Sequence, residues 1–110
     1  MEKLEFKTFF YAIGDYSRFS ILSSLAKGDL SVNEITNITG IEQSNVSHHL
    51  YCLLNCGFVN MRKNGQKRIY AINPEVKQTV NSIISHINFY KKQIISCDIA
   101  NMAYISKVIK

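Results

Sequence analysis

Two short helical segments separated by a glycine constrain the fold of this chain more than any other feature of its sequence. The first begins with Ser-Val-Asn-Glu at residues 31–34, a capping box in which the serine and glutamate side chains accept each other's backbone amides. Gly40 ends this segment, and a second amphipathic segment follows it and ends near Gly57. Its inward face consists of Val46, His49, Leu50 and Leu53. This arrangement predicts a helix-turn-helix.

A basic hairpin is predicted directly after the second helix. Residues 58–72, FVNMRKNGQKRIYAI, form two runs around Asn64 and Gly65, residue types that suit the positive φ angles of a type I′ turn. The cations near this turn are Arg62, Lys63, Lys67 and Arg68. A hairpin in this position is the wing of a winged helix-turn-helix, so we predict a mainly α fold with a β-hairpin wing.

Further helices are predicted on both sides of this unit. A first helix ends at Gly14, and Asp15 can cap a second that ends at Gly28. Asn73 can cap, and Pro74 can start, a long fifth helix. Apolar side chains recur along it at spacings of four and three: Val76, Val80, Ile83, Ile87, Tyr90 and Ile94. This heptad pattern is typical of pairing between helices, so we expect a homodimer formed through the terminal helices.

The dimer prediction involves both ends of the chain. The aromatic cluster Phe-Phe-Tyr at residues 9–11 is expected in the dimer core. The heptad pattern either continues through Cys97, Tyr104 and Val108 or breaks near residues 96–98, where Asp98 can cap a sixth helix. No glycine or proline decides between these alternatives.

Length and composition favour one cytoplasmic domain that spans residues 1–110. The chain has 110 residues with 46% apolar and 19% charged side chains, a globular balance. No apolar run approaches the roughly 18 residues of a membrane span, and the amino terminus lacks the pattern of a secretory signal. The three cysteines are therefore expected to be reduced. The net charge of +5 favours a polyanionic partner.

The predicted partner is double-stranded operator DNA. In a winged helix the second helix of the turn enters the major groove, and the wing contacts the backbone or the minor groove. The polar candidates for base contacts on that helix are Gln43, Ser44, Asn45, Ser47 and His48. Because the helix carries no Lys or Arg, we expect the four wing cations to supply most of the attraction to phosphates.

Other interpretations of these features stay open. Cations at a hairpin tip also keep a surface soluble, and winged helices also serve as protein–protein modules. An enzyme is not predicted, because the chain offers no glycine-rich phosphate loop and no acid pair at a workable spacing. We expect no organic cofactor.

Three segments of the chain resemble the ArsR/SmtB family of dimeric winged-helix, metal-sensing repressors. They are residues 13–35, IGDYSRFSILSSLAKGDLSVNEI, residues 43–59, QSNVSHHLYCLLNCGFV, and residues 60–72, NMRKNGQKRIYAI. Of two common metal sites of that family, one is absent, because Ser31 and Asn33 replace its CxC thiols, and the other is incomplete, because His86 lacks acidic and His partners. The resemblance implies a repressor that leaves operator DNA when an effector binds.

The remaining candidate metal site is CLLNC at residues 52–56. It resembles the CmtR-like cadmium- and lead-sensing branch of the family, which implies Cys52 and Cys56 as ligands and Cys97, from the partner subunit, as the third. Residues four apart on a helix have β-carbons about 6 Å from each other, and thiolates select soft ions such as Cd(II) or Pb(II). Two alternatives stay open: thiol redox sensing, or inert packing without a metal site.

Overall fold

The computed structural model describes residues 1–97. The elements are α1 (Lys3–Ile13), α2 (Tyr16–Leu25), β1 (Leu30–Ser31), α3 (Val32–Thr39), α4 (Gln43–Asn55), β2 (Val59–Asn64), β3 (Lys67–Ile72), α5 (Pro74–Phe89) and α6 (Lys91–Ser96). The strands form an antiparallel sheet in the order β1-β3-β2. The predicted winged helix-turn-helix is confirmed. Asp98, Tyr104 and Val108, on which the alternatives for the chain's end depend, lie outside the described residues.

One hydrophobic core joins the helices to the sheet. Its fully buried side chains are Ile21, Leu22, Leu25, Ile35, Val46, Leu50, Leu53 and Val80. The helices α2, α3 and α4 supply all of these except Val80, which comes from α5. The helix-turn-helix therefore rests on α2, and its outward face is left to solvent. Within residues 1–97, no helix combines the length and apolar character needed to cross a membrane.

A buried arginine fixes the junction between α1 and α2. Asp15 caps α2 by accepting the Arg18 amide at 3.0 Å. The Arg18 guanidinium turns back and donates to the carbonyl oxygens of Ala12 at 2.9 Å and Tyr11 at 2.7 Å. These carbonyls belong to the last turn of α1, where helix oxygens lack intrahelical partners. Arg18 therefore holds the angle between the two helices.

The helix-turn-helix begins and turns where the sequence predicts. Ser31 Oγ accepts the Glu34 amide at 3.3 Å, and the Glu34 carboxylate accepts the Ser31 amide at 3.0 Å. Gly40 follows α3 with φ +74°, a left-handed conformation that glycine adopts without the steric cost of a Cβ. The chain can then reverse direction into α4 within a few residues.

The sheet contains a strand that the sequence pattern did not reveal. The two residues of β1 pair with β3, Leu30 opposite Tyr70 and Ser31 opposite Ile69. Because Ser31 is also the N-cap of α3, this pairing attaches the wing directly to the start of the helix-turn-helix. A strand this short carries no recognisable alternation of polar and apolar residues.

The predicted turn at Asn64 and Gly65 is wrong in its placement. Asn64 pairs with Lys67 as the last residue of β2, so the two central residues of the turn are Gly65 and Gln66. Gly65 has φ +67°, whereas Gln66 and Asn64 do not adopt positive φ. A positive φ at only the first central residue is the pattern of a type II′ turn. The turn lies one residue later than predicted, and only Gly65 requires glycine.

The prediction of one unbroken fifth helix through Ile94 is also wrong. Tyr90, with φ −104° and ψ 25°, separates α5 from α6, so the helix breaks before residues 96–98, where the sequence allowed a break. Val80 is the only fully buried side chain of α5, and beyond it Ile84, which is partly buried, packs against the core. Helices this short depend on tertiary packing for their stability.

Candidate DNA-binding surface and cysteine pair

The outward face of α4 carries all the polar side chains predicted to contact bases. Gln43, Ser44, Asn45, Ser47 and His48 are each exposed. The opposite face is fixed to the core by Val46, Leu50 and Leu53, none of which is accessible to solvent. The helix is held rigidly from behind and presents an uncharged polar surface, because it contains no Lys, Arg, Asp or Glu. Such a surface can read base edges but contributes little to the attraction of phosphates.

The strand register divides the four wing cations into two pairs. Lys63 lies directly opposite Arg68, whereas Arg62 lies opposite Ile69. Directly opposed side chains lie on the same face of a sheet, and successive side chains alternate between its faces. Lys63 and Arg68 therefore share one face near the tip, and Arg62 and Lys67 point to the other.

The second pair has acidic neighbours. Arg62 forms an ion pair with Asp29 at 2.7 Å. Hydrogen bonds from Ser31 and, to a smaller extent, the nearby charge of Lys67 lower the pKa of Glu34. Within residues 1–97, neither Lys63 nor Arg68 forms an ion pair. These two cations are therefore the ones most available to phosphates. The role of Asp29 was missed because its partner lies 33 residues away.

The cysteine pair lies at the opposite end of α4 from the predicted base contacts. Cys52 is half-buried, and Cys56, which caps the helix, is exposed. The Cys56 amide donates to the Cys52 carbonyl at 3.1 Å, so the two residues are one helical turn apart on neighbouring parts of the surface. Cys97 is exposed and follows α6. The structure therefore leaves at least Cys56 and Cys97 open to a ligand or a second chain.

The residues present fit part of a soft-metal site. Cys52 and Cys56 supply two thiols of the kind that thiophilic ions prefer. Within residues 1–97 of one chain, however, no three His, Cys, Asp or Glu side chains are grouped so that they could hold a metal ion. A complete site with Cys52 and Cys56 therefore requires a ligand from beyond these residues or from a second chain.

The two adjacent histidines of α4 have different surroundings. His48 is exposed, whereas His49 is half-buried, and its buried Nδ1 has no hydrogen-bond partner among residues 1–97. Burial lowers the pKa of His49; Asp15 opposes this effect and Arg18 adds to it. His49 on α4 therefore lies close enough to the Asp15–Arg18 junction at the end of α1 to be influenced by both charges.

An apolar groove lies between the first helices and α5. Its volume is about 470 Å³, and Phe10, Phe19, Ile83 and Ile87 are among its lining residues. Phe10 is 52% exposed and stacks on Phe6, with ring centroids 4.8 Å apart. Exposed contiguous apolar surface of this kind is typical of protein interfaces. Its position agrees with the expected use of the terminal helices.

These features define the class of the protein. A helix-turn-helix with an exposed polar second helix, followed by a basic wing, is the architecture of winged-helix DNA-binding transcriptional regulators. Residues 15–61 match the model of a family described as bacterial regulatory protein, arsR family. An arsenical resistance operon repressor of Staphylococcus xylosus is 32% identical over 88 residues, which cover 80% of this chain and 85% of that protein. The chain belongs to the ArsR family.

Two further comparisons, one with a relative and one with a solved structure, agree with a DNA-binding regulator of this kind. A probable mercury resistance operon repressor of Streptomyces lividans is 37% identical over 73 residues, 66% of this chain. That match spans only 58% of the relative's own length. The solved structure of HlyU from Vibrio cholerae has a TM-score of 0.68 at 32% identity, and the match covers 82% of this chain and 98% of that one.

The family predicted from the sequence is confirmed, and its relatives include CmtR. CmtR of Mycobacterium bovis is 36% identical over 61 residues, 56% of this chain and 52% of that protein. Repressors named for mercury and for arsenic resistance match this chain over longer segments. Overall identity therefore does not choose a metal, and that choice depends on the cysteines.

Proposed function

We propose that the chain is a homodimeric transcriptional repressor that binds operator DNA through α4 and the wing and releases it when a thiophilic metal binds Cys52 and Cys56. Relatives named as repressors of arsenic and mercury resistance operons support the repressor role. One observation carries the regulatory part: the candidate DNA contacts and the cysteine pair belong to one continuous helix with its cap, residues 43–56.

Two surfaces, the exposed face of α4 and the wing, contribute to DNA binding in different ways in this proposal. The exposed polar residues of α4 supply sequence discrimination, and the wing supplies attraction to phosphates. Lys63 and Arg68 carry most of that attraction, because Arg62 is paired with Asp29 and Lys67 lies near Glu34. The sequence prediction gave all four cations equal weight, and the ion pair is the reason to rank them.

The homodimer accounts for the apolar surface left by one chain. Phe6 and Phe10 on α1 are each about half exposed, beside a groove that includes Ile83 and Ile87 of α5. A two-fold partner would cover this surface with its own copy. It would also present two copies of α4 to DNA, as dimeric winged helices do for two half-sites.

The metal site is shared between subunits in this proposal. Cys52 and Cys56 supply two thiolates, and Cys97 of the partner subunit supplies the third. A bound soft ion would supply strong bonds to sulfur that compete with protons. The proposal assumes a cytoplasmic setting, which keeps the thiols reduced. Metal affinity should therefore decrease as the pH falls and the thiolates become protonated.

The continuous helix explains how the two sites would communicate. Because the cysteine pair and the candidate base contacts lie on the same helix, a constraint on one end changes the position of the other. A coupling free energy of about 2 kcal/mol lowers operator affinity by about 30-fold. By reciprocity, operator DNA weakens metal binding by the same factor.

The test is a fluorescence-anisotropy titration of the reduced protein with a DNA sequence selected from a random pool by the metal-free chain. We expect Cd(II) to weaken binding of the wild type at least tenfold and to leave the Cys52→Ser, Cys56→Ser variant unchanged. Cys97→Ser tests the third ligand separately, and Mg(II) serves as the control ion because it prefers oxygen ligands. An equal Cd(II) response in the wild type and the double variant contradicts the metal site.

The same titration separates metal sensing from thiol redox sensing. An oxidant in place of Cd(II) should leave binding unchanged if the site responds to metal. Release by oxidant alone, with a Cys97 disulfide detected by mass spectrometry, would assign the thiols to redox sensing instead. If neither Cd(II) nor oxidant changes DNA binding, the protein is a DNA-binding regulator whose cysteines have only a packing role.

A further inference from the structure

Tyr51 extends the outward face of α4 beyond the residues that the sequence identified. Ser44, His48, Tyr51 and Asn55 follow one another at spacings of four, three and four, and all four are exposed. Residues at these spacings lie in one line along a helix. Tyr51 is therefore in line with the predicted base contacts but closer to the cysteine pair.

The surroundings of Tyr51 offer no reason within one chain for an aromatic residue. Its side chain is 65% exposed, and its hydroxyl forms no hydrogen bond within residues 1–97. Its ring stacks on no other aromatic ring there, unlike Phe6 with Phe10 or Phe89 with Tyr90. The core is already held by Leu50 and Leu53 on the far side of the helix.

The distance along the helix indicates which part of DNA this side chain would meet. Tyr51 lies seven residues after Ser44, which corresponds to about 10 Å along the helix axis at 1.5 Å per residue. The major groove is about 12 Å wide. With Ser44 placed at base edges and the axis of α4 running across the groove, Tyr51 would reach the wall of the groove, where the phosphates lie. A tyrosine hydroxyl is one of the neutral groups that donate to phosphate oxygens.

We infer that Tyr51 is a further DNA contact, whose hydroxyl donates a hydrogen bond to a backbone phosphate and fixes the depth of α4 in the groove. This inference rests on the proposed DNA binding. The contact is neutral, so it changes affinity without changing the dependence on salt, in contrast to the wing cations. It is also independent of base sequence, so it acts on operator and non-operator DNA alike.

The test compares Tyr51→Phe with wild type on the selected operator and on unrelated DNA, each at several salt concentrations. Tyr51→Phe removes one hydroxyl and keeps the ring; we expect binding at least about 10-fold weaker on both DNAs, as for loss of a hydrogen bond to a charged group. The slope of affinity against salt should not change. Tyr16→Phe is the matched control, because Tyr16 is an exposed tyrosine at the start of α2. Its affinity should equal that of the wild type.

Three results would overturn parts of this reasoning, and they can be told apart. Equal affinities of Tyr51→Phe and wild type would refute the contact. A loss confined to the operator would refute the phosphate assignment, since it would mean that Tyr51 reads a base. Failure of the wild type to bind DNA would refute the proposed function itself. Unchanged thermal unfolding of Tyr51→Phe excludes misfolding as the cause of a loss.

Discussion

Replacement of Lys63 and Arg68 by alanine tests how the wing attracts DNA. The two side chains lie opposite each other on one face of the hairpin and form no ion pair within residues 1–97. Both are exposed, so the double variant should fold and dimerise normally. The expected effect is a large loss of affinity at low salt that decreases as salt is added.

The magnitude follows from the number of phosphates neutralised. Two cations per chain give four per dimer, and each phosphate contact contributes about 0.9 to the slope of log affinity against log salt. For the double variant, the slope of log affinity against log salt should therefore be less steep by about 3.6. Between about 50 and about 200 mM salt, the wild type should lose roughly 150-fold more affinity than the variant.

Two control variants separate this effect from simple charge loss. Lys91→Ala with Lys92→Ala removes the same charge from α6 and should leave the slope unchanged. Arg62→Gln with Asp29→Asn keeps the net charge and removes the ion pair, and it should also leave the slope unchanged. The reasoning fails if the Arg62 and Asp29 variant reduces the slope as much as the Lys63 and Arg68 variant does.

Two further predictions concern the junction behind α4. Arg18→Ala should lower the free energy of unfolding by about 3 kcal/mol or more in urea titrations, because two charge-assisted hydrogen bonds to the carbonyls of α1 are lost; a loss below about 1 kcal/mol would contradict this role. Burial lowers the pKa of His49 below its usual 6.5, so the unfolded chain binds a proton before the folded chain does. Stability should therefore fall as the pH decreases from about 6.5 toward the lower folded pKa. His49→Gln should flatten that decrease, and an unchanged pH profile would argue against it.

The parts of the fold that depend on neighbouring residues could be predicted from the sequence. The capping box at Ser31, the end of α3 at Gly40 and the cap at Asn73 each involve residues within a few positions of each other. Alternation and helical spacing also separated the outward face of α4 from its buried face. Local hydrogen bonds and side-chain periodicity carry this information, and both can be read in the sequence.

The parts that depend on distant residues could not be predicted. The pairing of Leu30 with Tyr70 and of Asp29 with Arg62 joins segments tens of residues apart, and no local pattern encodes it. The break at Tyr90 has no glycine or proline to mark it. The metal site remains a prediction for a related physical reason, since two thiols on one helix are not a complete set of ligands and the proposed third belongs to another chain.

Many DNA-binding helices both discriminate between base sequences and attract phosphates. Because α4 carries no charge, the proposed binding mode assigns these two properties to different elements. Its residues 43–55 contain neither cations nor carboxylates, and the free wing cations lie on a different element. In the proposed binding mode, substitutions on the exposed face of α4 would change which operator is preferred, while the general attraction to DNA would be preserved. After gene duplication, a copy of this protein would remain a competent DNA-binding protein while its preferred sequence diverged. Each variant formed while the protein changed from one target gene to another would then still bind DNA.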